Sequence, residues 1–440
     1  MAFARQKGYF LTSLATLMIL SVCLTYLAYR EYTSLLPTTT PNPTSRQTNR
    51  RSTGLRPGVE KMPHMQRSAL PRFNRSISSF SEDFSSRFYS VWTDDASQSA
   101  RKTGNDITVV FWNAPGWRPR CPSMPQCALT ADRQQYENAD AVLFWFKSLP
   151  HVYDKDFFPK TRPSHQRWIY YVRDCPHFTR DTDFASYGGV FNWTMSYRND
   201  SDVLAHWGHI TEAYHQLAQH PADPNRNYAK EKSKLIIWYV SHCYKYMSRF
   251  PYATELMKHI QVDVFGRCGN INKTCPRNDG RCFREHIRQY KFYLAFEDFK
   301  CVDYITEKYW DNSLKNDAVP VVLGAPRSDF ERLTPPNSYI HVDDFESPEA
   351  LAKYLKYLDQ NDEEYNKYFA WKTQPPKNPL PSLFEGDLCE LCKKLSNVSP
   401  TERKVYTDID RWWRGQNYEF CEPLVYTGPF MDPRYLIFYN

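Results

Sequence analysis

Apolar residues in this chain come in short dense runs separated by long polar, proline-bearing stretches. One set is Ile107–Trp112, Ala141–Phe146 and Arg167–Val172, the last running into Arg173-Asp174-Cys175-Pro176. A second set is Leu235–Val240, Val262–Phe265 closed by Gly266, Phe292–Phe296, and Val319–Leu323 closed by Gly324. Runs this short, rich in β-branched and aromatic residues, predict buried strands. Tyr252–Ile260 and Tyr304–Leu314 have helical spacing, and Asp303 suits an N-cap for the second. Strand, helix, strand over Phe292–Leu323 is a βαβ unit, which requires a parallel sheet covered on both faces. Periodicity breaks over Gln219–Lys232, where HPADPNRNYAKEK links two α/β halves.

In such sheets ligands bind beyond the carboxyl ends of the strands. Glu297 and Asp298 leave their strand at that edge. A helix beginning there would turn free N–H groups toward the crevice, a seat for phosphate. Tyr304, Glu307 and Lys308 fall at i, i+3 and i+4 and so share one face. A ring, an acceptor for sugar hydroxyls and an ammonium suit a nucleotide sugar. A solvated Glu307–Lys308 pair over a core tyrosine is the competing reading.

The N-terminal region changes the picture. Tyr9–Tyr29 carries no charge and is long enough to cross a ~30 Å hydrocarbon core, with tyrosines at its ends. Arg5 and Lys7 precede it, which predicts a cytosolic tail (1–8), an uncleaved signal-anchor (9–29) and a lumenal remainder. Residues 30–103, rich in Ser, Thr, Pro, Arg and Asn, read as a stem that cannot bury a core. Tail, anchor, stem and globular body is the layout of a single-pass type II Golgi glycosyltransferase. The net charge of +7 and sequence pI near 8.6 fit an anionic ligand, and no block reads as a nucleic-acid arm. Of the twelve cysteines, all but Cys23 would face an oxidising lumen. Cys121 can pair with Cys127 around a proline-containing loop, and Cys389 and Cys392 can close on each other or bridge elsewhere. Cys268, Cys275 and Cys282 cluster, and an odd number leaves at least one thiol over. A zinc site at Cys389 and Cys392 has no second half. Sequons stand at Asn74, Asn192, Asn199, Asn272 and Asn397.

The stretch FYLAFEDFKCVDYITEKYWDNSLKNDAVPVVLG resembles the donor-binding signature of the α1,3-fucosyltransferases, glycosyltransferase family 10. PPNSYIHVDDF, VDVFGRCG and FNWTMSYRNDSD are similar to further family blocks. The resemblance implies a GT-B-like fold of two Rossmann-like domains, an acceptor domain over 104–228 and a GDP-fucose-binding domain over 229–375. A C-terminal segment with the CxxC fills 376–440. It implies inverting transfer of L-fucose to a GlcNAc-containing glycan, on an N-glycan core or a Lewis-type antenna. No catalytic metal is required, and a divalent metal is at most stimulatory. Lys308 and Arg249 match phosphate-binding positions; Tyr304 and Glu307 match donor-contacting ones. Glu297 is expected to contact fucose or orient its neighbours. The family's proposed base is the glutamate of Glu-Ser-Pro; here Asp174-Cys175-Pro176 stands in its place, with an arm one methylene shorter. Asp298 replaces the usual asparagine, a negative charge that should weaken donor binding unless Lys308 or Arg249 compensates. These two departures keep open a catalytically inactive glycan-binding relative.

Overall fold

The computed structural model describes residues 106–113, 120–243, 247–269, 275, 279–374, 376, 380–399 and 402–422. The expected signal-anchor and stem lie outside them, as do Asn74 and Asn272. No helix among the described residues is long and apolar enough to cross a membrane.

Among the described residues, eleven strands form two all-parallel sheets. The first comprises β1 (Ile107–Phe111), β2 (Cys127–Thr130), β3 (Ala141–Trp145), β4 (Arg167–Tyr171), β5 (Trp193–Ser196) and β6 (Val203–Leu204), in the order β2-β1-β3-β4-β5-β6. The second comprises β7 (Lys234–Tyr239), β8 (Asp263–Phe265), β9 (Tyr290–Phe296), β10 (Val319–Leu323) and β11 (Ile340–His341), in the order β11-β10-β9-β7-β8. This is the two-sheet α/β arrangement that the apolar runs predict. β1, β4, β9 and β10 are buried along their whole length, as strands covered on both faces must be.

The alternation of side chains divides the first sheet's contacts cleanly. Val109, Leu143, Ile169 and Trp193 face one core, with Leu391, Cys392 and Leu395 of the helix Asp387–Ser396. Phe144, Trp168 and Tyr170 face another. That second core includes Trp413 and also Phe299, Cys301 and Tyr304 from the second half, so a single apolar cluster joins the first sheet to the segment after β9. Between β1 and β6 the described connections hold only 3-10 turns, and the C-terminal segment supplies the helical cover.

The cysteines pair over long range. Cys121 bonds Cys389 and Cys127 bonds Cys392, across separations of 268 and 265 residues. The local Cys121–Cys127 and Cys389–Cys392 pairings are therefore incorrect, and both members of the CxxC are spent in disulfides rather than on a metal. Cys243–Cys268, Cys275–Cys282 and Cys301–Cys421 complete the set, and Cys175 is free and buried. Burial pushes the Cys175 thiol well up, so it stays protonated and inert. Asn192 is buried and fully bonded: its Oδ1 accepts from Trp168 N at 2.8 Å and its Nδ2 donates to Lys404 O at 2.9 Å. It cannot serve as a glycan acceptor in this fold, whereas Asn199 and Asn397 are exposed.

The helix expected over Tyr304–Leu314 is shorter and differently capped. Asp303 adopts φ 61°, a left-handed conformation, and caps nothing. Its carboxylate instead accepts from Asn199 N at 2.9 Å and pairs with Arg332. The helical path starts at Glu307 and runs as a wide π-type turn over Lys308–Ser313, then a 3-10 turn over Leu314–Asn316. Tyr304 precedes it and is not on its face.

Two disulfides tie the helix Asp387–Ser396 to β2 and to the segment before it, across the separations of 268 and 265 residues. Replacing Cys121 and Cys389 with serine should cost about 2–4 kcal/mol and lower the melting temperature. Non-reducing peptide mapping should recover Cys127 with Cys392; a Cys389–Cys392 peptide would contradict the connectivity.

Candidate active site

A cleft of about 890 Å³ lies between the carboxyl ends of the two sheets. The first half contributes the segment after β3, with Phe146 and Lys147, and the segment after β4, with Asp174 and Phe178. The second half contributes Ser241 and His242 after β7, Asp298 after β9, and Tyr304, Glu307 and Lys308 from the crossover to β10. Arg249 enters from the first turn of the helix Arg249–Leu256. Of the sequence-predicted site residues, Asp174, Arg249, Asp298, Tyr304, Glu307 and Lys308 all line this cleft; Glu297 does not.

Glu297 turns inward and is 2% exposed. Its Oε1 accepts from the amide of Thr306 at 2.9 Å and the hydroxyl at 2.8 Å, and its Oε2 accepts from Lys308 Nζ at 2.8 Å. It therefore points away from the cleft lining and orients its neighbours Thr306 and Lys308. Gly324 at the end of β10 makes room for it: a Cβ there would stand 2.7 Å from Glu297 Cγ. Lys308 also donates to Thr306 Oγ1 at 2.9 Å and to Glu307 Oε1 at 3.4 Å. An ammonium has three protons, so all are engaged, and the longest bond goes to the carboxylate nearest solvent.

The electrostatics follow from burial set against these partners. Burial works against charge on Lys308, but Glu297 and Glu307 outweigh it and hold the ammonium protonated well above the usual lysine range. Burial raises the Glu297 carboxyl despite the pull of Lys308. At Glu307 burial is overcome by Lys308, and the carboxyl falls below its usual range. Burial lowers Arg249, with Asp298 opposing. Asp298 sits between Arg249 and His242: its Oδ1 meets Arg249 Nη1 and its Oδ2 lies 3.5 Å from His242 Nδ1. Burial would raise its carboxyl; the His242 hydrogen bond and Arg249 prevail, holding it below the usual aspartate range. Arg249 Nη2 also donates to the His242 carbonyl at 2.7 Å. The compensation for the extra negative charge thus comes from Arg249 and from His242, which sequence reasoning missed although it follows directly on the β7 run.

On the opposite wall Asp174 Oδ2 pairs with Lys147 Nζ at 2.7 Å. Lys147, just after β3, was likewise not singled out. Tyr304 is 2% exposed, packs 4.8 Å from Tyr197, and burial drives its hydroxyl well above the ordinary tyrosine range. It is a wall, not an acid. Among the described residues, the one cluster with metal-ligand spacing is Cys275, Cys282 and His286, whose two sulfurs are joined in a disulfide. The cleft can hold an elongated anion against two largely buried cations and set a carboxylate across from it.

Two family models match the chain: glycosyltransferase family 10 (fucosyltransferase) C-term over residues 229–412, and fucosyltransferase, N-terminal, over residues 100–208. The glycoprotein 3-alpha-L-fucosyltransferase A of Drosophila melanogaster is 35% identical over 72% of this chain and 62% of its own length. The chain thus spans less than two thirds of that relative. The 4-galactosyl-N-acetylglucosaminide 3-alpha-L-fucosyltransferase FUT5 of Hylobates lar is 38% identical over 70% of this chain and 79% of its own. A crystal structure of an α1,3-fucosyltransferase with GDP-fucose aligns over 70% of this chain and 94% of that one at TM-score 0.41 and 17% identity, too loose an overlay to assign any residue.

Asp298→Asn removes the carboxylate that competes with an incoming anion for Arg249. GDP affinity, read by calorimetry, should tighten roughly 10-fold. The unliganded variant should melt earlier, because a buried guanidinium loses its counter-charge. Weaker GDP binding in a folded variant would show that Asp298 itself holds the ligand.

Proposed function

The chain belongs to glycosyltransferase family 10, the fucosyltransferases, and from that premise we propose that it transfers L-fucose from GDP-fucose to a GlcNAc-containing glycan with inversion. One observation carries the reading: the buried Arg249 and the largely buried Lys308 meet Asp174 from the other half around one cleft. The diphosphate lies against Arg249 and Lys308, which stabilise charge as the leaving group departs. Glu307 exchanges its long bond to Lys308 for the ribose hydroxyls, and this frees one ammonium proton for phosphate. Asp174 accepts the proton of the attacking hydroxyl on the face opposite the phosphate. Lys147 holds Asp174 Oδ2, so the shorter aspartate arm is fixed in place rather than left mobile.

The acceptor class follows the relatives. The fly protein is named for a glycoprotein acceptor and the gibbon protein for a 4-galactosyl-N-acetylglucosaminide. An array of N-glycan cores and Lewis-type antennae separates the two. The catalytic carboxylate, two phosphate cations and family membership favour an enzyme over an inactive glycan binder. A metal is not assigned a step; a divalent ion would act at most on the bound diphosphate.

Asp174→Asn should cut turnover by about 10²–10⁴-fold with GDP affinity nearly unchanged, because a base does not hold the nucleotide. Asp174→Glu should retain appreciable activity. Parental turnover in Asp174→Asn would place the base elsewhere.

The uncharged Tyr9–Tyr29 segment after Arg5 and Lys7 supports a Golgi membrane protein of type II orientation with the body lumenal. In sealed microsomes the body should resist added protease until detergent is present. Digestion without detergent would overturn that orientation.

A further inference from the structure

Val152, Phe178 and Tyr357 are the exposed large hydrophobic side chains among the described residues, and of the three only Phe178, at 37%, lines the cleft. It belongs to the 3-10 turn Pro176–Thr179 that begins directly after Asp174-Cys175, and its amide donates to the Cys175 carbonyl at 3.0 Å. The ring stands edge-on to Phe299 at 5.7 Å and 6.2 Å from His242. His242 in turn faces Asp298 and holds Arg249 through its carbonyl. Phe178 therefore borders the space between the phosphate cations and the carboxylate base, where the two sugars must meet.

The turn is held rigidly from behind. The His177 ring stacks on Tyr418 at 5.1 Å, and its Nε2 bonds the Glu422 carbonyl at 3.1 Å. Thr179 Oγ1 donates to the Pro176 carbonyl at 2.8 Å and accepts from Trp413 Nε1 at 2.9 Å. Arg414 donates to the Thr179 carbonyl, and the Cys301–Cys421 disulfide pins the strap that carries Tyr418 and Glu422. A loose turn would fold a phenyl ring out of water. This one holds the ring at the surface of a polar cleft, with Phe146 and Trp207 on the same lining.

We propose that Phe178 is a stacking platform for a pyranose ring of the acceptor, holding the sugar whose hydroxyl faces Asp174. Sugar rings present C–H faces that pack on aromatic faces, while their hydroxyls remain for polar groups. The assignment rests on the fucosyl-transfer reading and adds the residue that binds the second substrate. Phe178 contributes binding and no proton transfer, so its loss acts on acceptor KM.

The test uses the full chain with two probes, N-acetyllactosamine and a GlcNAc-bearing N-glycopeptide. Phe178→Ala should raise KM for the accepted probe about 10-fold or more, with a much smaller change in kcat. Phe178→Leu, which keeps apolar packing on Phe299 but lacks a flat face, should show the same rise, and Phe178→Trp should restore affinity. GDP binding by calorimetry should be unchanged in all three, which a collapsed cleft would not allow. An unchanged acceptor KM in Phe178→Ala and Phe178→Leu overturns the proposal. A loss of GDP-fucose affinity with GDP affinity kept assigns the ring to the donor sugar and also overturns it. If the parent fucosylates neither probe, the transfer reading fails at its acceptor. Saturation-transfer NMR with GDP present then decides the platform separately. A probe signal seen with the parent and abolished in Phe178→Ala supports it. A signal missing with the parent, or equal in both proteins, overturns it.

Discussion

The site depends on keeping two largely buried cations charged at the floor of a cleft. An isolated ammonium or guanidinium removed from water is strongly unfavourable unless it is paired and hydrogen-bonded. Lys308 is sustained by Glu297, Thr306 and Glu307, and Arg249 by Asp298 and the His242 carbonyl. Glu297 needs the space above Gly324, and Thr306 needs the tight path that begins at the left-handed Asp303. The wide helical turn over Lys308–Ser313 comes directly after it. Glu297, Thr306 and Glu307 of the β9–β10 crossover converge on one ammonium.

The opposite wall is held by a different means. Among the described residues its sheet has few helices of its own and takes its cover from the C-terminal segment, through Leu391 and Leu395 on one face and Trp413 on the other. Disulfides at Cys389, Cys392 and Cys421 fasten that segment to β2, to the segment before it and to the second half. The core running from Phe144 to Tyr304 then sets the distance across which Asp174 faces Lys308. A cleft whose two walls carry different parts of one reaction requires this stiffness, since catalytic groups lose most of their effect when displaced by about an ångström.

Local pattern determined much of this protein. Short apolar runs located β1, β3, β4, β7, β8, β9 and β10 within a residue or two, and the strand ends located Asp174 and Asp298 at the cleft. The family signature over Phe292–Gly324 was likewise legible, because it is contiguous. What only the tertiary structure decided is who partners whom. Glu297 and Asp298 are adjacent in sequence, yet one turns inward to Thr306 and the other faces the cleft, because successive residues leave a strand on opposite sides. Asp303 looked like a helix cap but is recruited by Asn199 and Arg332, 104 and 29 residues away. Cys121 and Cys127 are near neighbours in the chain, yet each bonds a helix far downstream, at separations of 268 and 265 residues. Lys147 meets Asp174, and His242 meets Asp298, only once strands have paired. Hydrophobic period is a property of neighbours along the chain and can be read from it. The choice of a counter-charge or a sulfur is made after loop closure brings distant strand ends together, and no local pattern records it.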